Sequence, residues 1–378
     1  MLKIVVLITL CVTTMVFPDK IYAEQALKLE NEKLDFLSYE EAVKLAIKES
    51  TEIKNLKLDK ESKSIKLDDT LDDFGDSLYN PQLLALMKLQ KSDNLSSESA
   101  EKTENFINQY LKTTIKTTFN NINLMQEDIK LKKEQLQNSE SKWNTLKLKV
   151  EYGMESKTNL KTAELQIAQD KKDIEKLEKD LEDQYINLNR LLGLDIFARY
   201  EIEKIDFDFL PIKDTQEDIE FKITRTINSD LTLWGKKQQM EIQSLDIDFY
   251  ALNYIDGASS KMQTSPTPYK ALKLDIEIAS NDIEKAKEDI RNSVISKYNS
   301  IKKLEDAHEN TLLKIKELEE KKRILEVAIK AGTTTDQDYK DLLIGIKQAN
   351  YGLETIESQH NLLVEIYNNP LLAGSSLN

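Results

Sequence analysis

Cysteine is almost absent from this chain. Its single Cys11 lies near the start, so the rest can form no disulfide and carries no thiol chemistry. There are only two histidines, and no histidine falls in a carboxylate cluster at metal-ligand spacing, so no metal site and no cofactor are expected. The 9 glycines form no phosphate-cradling loop, and the many carboxylates are interleaved with lysines as on solvated helix faces. No catalytic residue stands out, and an enzyme is not expected. A basic excess is missing too: Lys and Arg total 53 against 67 Asp and Glu, for a net charge of −14 and a pI near 5.0. Without a basic stripe to displace counterions from phosphates, nucleic acid is excluded as a partner. The one long apolar run, Ile4 to Phe17, is short for a membrane span. With Lys3 before it and Ile21-Tyr22-Ala23 after it, residues 1–23 read as a secretory signal peptide, an uncleaved anchor being the alternative.

Helix formers fill the space that the breakers leave. With 32% charged residues and only 6 prolines, the long Lys/Glu/Leu/Ile tracts read as long helices with shallow seams. From Thr114 to Leu192 the apolar residues recur every seven positions: Ile115, Ile122, Ile129, Leu136, Trp143 and Val150, then Leu160, Ile167, Ile174, Leu181 and Leu188. A sevenfold repeat marks helices that supercoil left-handedly about each other. The pattern breaks only between Glu151 and Asn159, where Gly153 supplies a turn. The arrangement recurs 179 positions later, with Val294, Ile301, Ile315 and Ile329 before Gly332 and Tyr339, Ile346, Leu353 and Tyr367 after it. This is an internal duplication. The fold class is mainly α, two long antiparallel coiled-coil hairpins turning at Gly153 and Gly332.

Between these landmarks the chain divides into a first repeat, 24–210, and a second, 211–378. Ser38 and Glu41 form a capping box opening a helix that runs through Ile53 and Ile65, and Thr215 to Tyr250 is its counterpart. Asp68 to Ser99 reads as irregular, with a short helix at Pro81 to Leu89 inside a loop. Asp256 to Tyr269 reads as a second irregular patch. The alternation from Ile205 to Pro211 suggests a short edge strand joining the repeats. Leu272 to Ile278 alternates as well, yet runs unbroken into Ile283 and Ile290, so it is assigned to helix. Gly193 and Asn368-Asn369-Pro370 end the hairpins, and Ala373 to Asn378 is expected to fray.

The opening helix LSYEEAVKLAIKESTEI, the two glycine turns VEYGMESKTNLKTAELQIAQ and IKAGTTTDQDYKDLLIGIKQA, and the closing LLG and LLAG, in duplicated order, resemble the TolC-like outer-membrane efflux proteins. The resemblance spans nearly all the chain after the signal segment. It implies a homotrimer in which each protomer gives two hairpins to a twelve-helix tunnel. It also implies tips that dock an adaptor protein belonging to an inner-membrane pump. The family inserts two pairs of membrane strands where this chain has Asp68 to Ser99 and Asp256 to Tyr269. Neither segment offers alternating strands of about 9–11 residues, so an α-barrel protomer without the β-barrel is expected. Independently, the second seam position of the first long helix is only partly apolar, at Thr118, Met125, Lys132, Ser139 and Leu146. Such a helix suits a stave of a hollow barrel or an arm of a free coiled coil. The function implied is a passive efflux conduit of the cell envelope. The alternative is a structural or adhesive coiled-coil spacer.

Three groups of residues follow. By resemblance, Asp338 and Asp341 match aspartates that ring the tunnel aperture, where threefold carboxylates would attract cations. Otherwise they are ordinary first-turn carboxylates at the positive end of a helix. Their counterparts in the first repeat are Asn159 and Thr162, and the family's arginine lock between hairpins is replaced by Thr334 and Asn159. The adaptor-docking tips are Gly153, Met154 and Ser156 with Gly332, Thr333 and Thr335, or else plain turns in which glycine takes a positive φ. Finally, His308 and His360 replace the apolar Ile129 and Leu181 of the first repeat. Both lie about 35 Å from the turn at 1.5 Å rise per residue, on the same level, where they could share a hydrogen bond or simply fix register as a polar layer. A shared bond would make the second hairpin loosen as pH falls.

Overall fold

The computed structural model describes residues 35–73, 80–255 and 266–375. Residues 1–23, read from the sequence as a signal peptide, lie outside the described residues. In order the elements are β1 (Phe36–Leu37), α1 (Tyr39–Glu49), α2 (Thr51–Asp73), α3 (Asn80–Glu151), α4 (Lys157–Leu192), β2 (Glu201–Ile202), α5 (Gln216–Ser229), α6 (Leu231–Ile255), α7 (Pro266–Lys330) and α8 (Asp336–Asn368). The two hairpins are α3–α4 and α7–α8, and both turn glycines have φ of 70°. The two turns are built alike. Gly153 and Gly332 donate to the carbonyls of Val150 and Ile329, and the next residues, Met154 and Thr333, to those of Lys149 and Ala328.

The duplication is present in the packing. Ile115, Ile122 and Leu188 are buried in one cluster, and their counterparts Val294, Ile301 and Tyr367 are buried in another. The first cluster adds Leu37, Ala42, Ala46 and Ile202 from β1, α1 and β2; the second adds Ile223 from α5. Side chains buried so fully contribute about 1.5–3 kcal/mol each. We call the level of these clusters the equator. Toward the tip the seam becomes shallow: Leu136, Trp143 and Val150 are only half-buried.

Several expectations need correction. Each opening helix is two helices. Ser50 and Asp230 leave the helical conformation, with ψ of 113° and 120°, and their side chains cap the next helix by accepting from the amides of Ile53 and Leu233. The Ser-rich stretch Ser92 to Ser99 and Pro81 to Leu89 are not loop but part of the 72-residue α3. Proline is tolerated in its first turn, and α2 and α6 pack along this part of the helix. Leu272 to Ile278 lies inside α7 as expected, and α7 begins at Pro266, within the second patch assigned as irregular. The positions between α2 and α3 and between α6 and α7, 74–79 and 256–265, lie outside the described residues. Among the described residues no strand is longer than two residues. Ile205 to Leu210 alternates in burial as the sequence suggests, but it joins no ladder. The paired strand lies earlier, at Glu201–Ile202, parallel to Phe36–Leu37. The C-terminal segment is not frayed as far as Ser375: Leu372 and Ala373 are buried, and Ser293 donates to the carbonyls of Ala373 and Ser375.

Candidate functional site

On the tip side of the equator the four long helices lie in the order α4, α3, α8, α7. On the other side the order is α2, α3, α6, α7. α3 is central on both sides, so α2 and α4 form one edge of the row and α7 the other. Both edges carry apolar residues more than half exposed: Leu58 and Ile65 on α2, Leu165 on α4, and Leu274, Ile278, Leu313, Ile324 and Val327 on α7. Among the described residues no helix is long and apolar enough to cross a membrane.

The tips differ in chemistry. The first exposes Tyr152 and Met154, each about three-quarters accessible, and Ser156 caps α4 by accepting from the Asn159 amide. The second turns its hydroxyls inward: Thr333 Oγ1 donates to the Ala328 carbonyl, and the Thr334 and Thr335 hydroxyls donate to Asp338. Asp338 also accepts from the Thr335 amide, completing a capping box. These bonds, the Thr335 hydroxyl first, hold its carboxyl below the usual carboxylate range. Asp338 is thus an exposed first-turn carboxylate at the positive end of α8.

Asp341, one turn further on, faces the other hairpin. It accepts from Lys142 Nζ at 2.7 Å and Asn138 Nδ2 at 2.6 Å, both on α3, and from Gln337 Nε2 at 3.3 Å. Burial pushes its carboxyl up, but the Lys142 and Asn138 bonds outweigh that and leave it lowered. Six residues along α8, Lys347 meets Glu134 at 2.5 Å. The hairpins are therefore tied together, through residues other than the Thr334 and Asn159 that stand at the family's lock positions.

At the equator the segment between β2 and α5 crosses three helices. Glu203 O accepts from Asn123 on α3, and Lys204 pairs with Glu354 on α8. Phe207 lies under Lys116 of α3. Ile212 donates its amide to Glu305 and accepts from Lys302, both on α7. Between these anchors the ring of Phe209 stacks on His308 at 3.6 Å and leans on His360 at 4.5 Å. The two imidazoles therefore do share a level, against one phenyl ring. They do not share a hydrogen bond, because each faces a glutamate: His308 Nε2 lies 3.0 Å from Glu357 and His360 Nε2 3.4 Å from Glu305. Sequence reading missed Phe209. Its signal was the alternation through Phe207 and Phe209 at the level of the histidine pair.

Comparison with known proteins finds no matching family model and no matching curated protein. Solved structures match over the whole fold. CusC, in a study of folding and transmembrane channel formation, aligns with a TM-score of 0.60 at 10% identity, covering 94% of this chain and 98% of CusC. The outer-membrane channel OprN aligns with a TM-score of 0.61 at 13% identity, covering 96% and 98%. The open state of the outer-membrane channel MtrE from Neisseria gonorrhoeae aligns with a TM-score of 0.58 at 11% identity, covering 89% and 88%. The chain has the fold of the TolC-like outer-membrane channels.

Proposed function

We propose that the protein is a channel component of a cell-envelope export system, a passive conduit and not an enzyme. The observation that supports this most is the helical row with two unlike open edges, α2/α4 and α7, both carrying exposed apolar side chains. Edges that differ are satisfied head to tail, and such contacts close into a ring when the rotation permits. Three protomers then give the twelve-helix wall of a homotrimer, with repeats 24–210 and 211–378 alternating around it. In this reading Tyr152, Met154 and the turn around Gly153, with Gly332, Thr333 and Thr335 of the second tip, receive an adaptor protein of an inner-membrane pump. Asp338 and Asp341 supply carboxylates near the tip aperture, Asp341 being shared with Lys142. Residues 1–23 export the chain.

The test is the mass of the purified chain in solution by light scattering. A trimer is expected, and Leu274→Asp with Ile278→Asp should dissociate it. A monomer or a parallel dimer at micromolar concentration would overturn the conduit and favour the coiled-coil spacer.

A further inference from the structure

We infer that the segment from Glu203 to Thr215 is an acid-released strap, and that proton uptake by His360 frees Phe209 and Ile212 from α7 and α8. The inference holds whether or not the chain forms a channel.

The geometry begins with tautomers. An ionised carboxylate only accepts, so the ring nitrogen facing it must carry the proton. Nε2 of His360 therefore donates to Glu305, and Nε2 of His308 donates to Glu357. Nδ1 of His360 is left as a bare acceptor, buried and without a hydrogen-bond partner, on a residue with no accessible surface. A second proton has to go to that atom, where it would form a buried N–H with no acceptor. The charged groups around the ring are Glu305, which favours the cation, and His308 and Lys302, which oppose it. Glu305 is already engaged by Lys302 at 2.8 Å and by the Ile212 amide at 2.7 Å, so little of its acceptor capacity remains.

Burial is the largest influence and holds His360 below the ordinary histidine range. Protonation is therefore easier when water can reach Nδ1. The group that shields the ring on the connector side is Phe209. The direction follows from linkage: the closed strap binds the proton more weakly than the open one, so opening becomes more favourable as pH falls below about 6.5. The gain levels off once pH is below the depressed value of the closed state. His308 is less enclosed, keeping 12% of its side-chain surface accessible against none for His360. His360, whose Nδ1 is buried and unpartnered, is thus the trigger.

The strap can be followed through hydrogen exchange of the Ile212 amide, which donates to Glu305. After correction for intrinsic exchange, its protection should drop between pH 7.5 and 5.5, by up to about tenfold for an open-state midpoint near 6.5. His360→Leu, which restores the residue type of the first repeat, should make protection independent of pH. Phe209→Ala should remove it at every pH. The same pH profile in wild type and His360→Leu would overturn the strap, as would full protection in Phe209→Ala. Should His360→Leu lose its helical circular dichroism, the wild type still decides the matter. Its His360 resonance must titrate at the acid end of the range in which Ile212 loses protection, where the loss levels off, and a midpoint at or above the ordinary histidine value of about 6.5 refutes the trigger.

Discussion

The tie between the hairpins offers a quantitative test. Lys142 and Asp341 keep 47% and 39% of their side-chain surface accessible, so water screens much of their attraction. Measured couplings of such exposed pairs amount to about 0.2–1 kcal/mol. The bond from Asn138 adds to what Asp341→Asn would lose, but it cancels from a double-mutant cycle with Lys142→Met. The cycle, measured by urea melts of the four proteins, should give a coupling in that range. Its pH dependence is also fixed. The folded carboxyl lies below its unfolded value, so the contribution is complete above the ordinary carboxylate range and is lost only as pH falls through the depressed folded value. Above about pH 5 the tie is constant, which separates it from any event at His360. In a ring of three, the couplings would sum to about 0.6–3 kcal/mol, roughly a three- to hundredfold bias against splayed tips. Spin labels at positions 152 and 333 would report that bias as a broadened distance distribution in Asp341→Asn. A coupling indistinguishable from zero would show that Glu134–Lys347 and the equator hold the hairpins together, and that Asp341 is free for other work.

Gly153→Ala and Gly332→Ala should each cost about 1–2 kcal/mol in thermal melts, and by equal amounts. Both residues have a left-handed backbone, and an added Cβ would meet nothing within 4 Å. Gly345→Ala and Gly352→Ala, both inside α8 and facing open space, should instead each raise the stability of the isolated chain by about 0.5–1 kcal/mol; a loss would mean that something seats against that face. Phe119→Ala, at a fully buried position, should cost about 3–5 kcal/mol in urea melts, whereas Tyr152→Ala at the tip should change stability by less than about 0.5 kcal/mol.

What could be read from the sequence was whatever repeats. The sevenfold apolar period and the paired glycines located both hairpins, because burial and positive φ leave direct marks on residue type. Capping boxes were legible for the same reason: Ser38 with Glu41 and Thr335 with Asp338 are local devices whose partners lie three residues apart. Local composition misled where tertiary contact prevails. Ser92 to Ser99 looks like a loop by propensity, yet α3 passes straight through it with α2 and α6 alongside. The breaks at Ser50 and Asp230 were hidden because one non-helical residue hardly disturbs an apolar period. The histidine level was predictable by counting helical rise. Their true partners, Glu305, Glu357 and Phe209, were not, since each lies 49 residues or more from the histidine it meets.

The duplication also specifies contacts that a single chain cannot make. Inside the chain, α3 of the first repeat packs against α8 and α6 of the second. If repeats alternate around a ring, α7, the counterpart of α3, must meet α4 and α2 of the next protomer in the same way. The displacement of 179 residues then maps each internal pair onto an external one. Glu134–Lys347 becomes Leu313 against Ala168 of the neighbour, a charged pair replaced by an apolar one. That would account for Leu313 being 57% exposed in the isolated chain, on a helix otherwise rich in charge. Lys142–Asp341 becomes Lys321 against Thr162, so the carboxylate tie should exist inside each protomer and be absent between protomers. Of the two kinds of hairpin junction, the one between protomers would be the more readily parted. Cysteines placed at Leu313 and Ala168, in a chain whose only native Cys11 has been removed, should therefore join separate chains on oxidation and yield a covalent trimer. Chains that stay monomeric on oxidation, while the internal pair Glu134→Cys with Lys347→Cys closes, would refute the alternation of repeats.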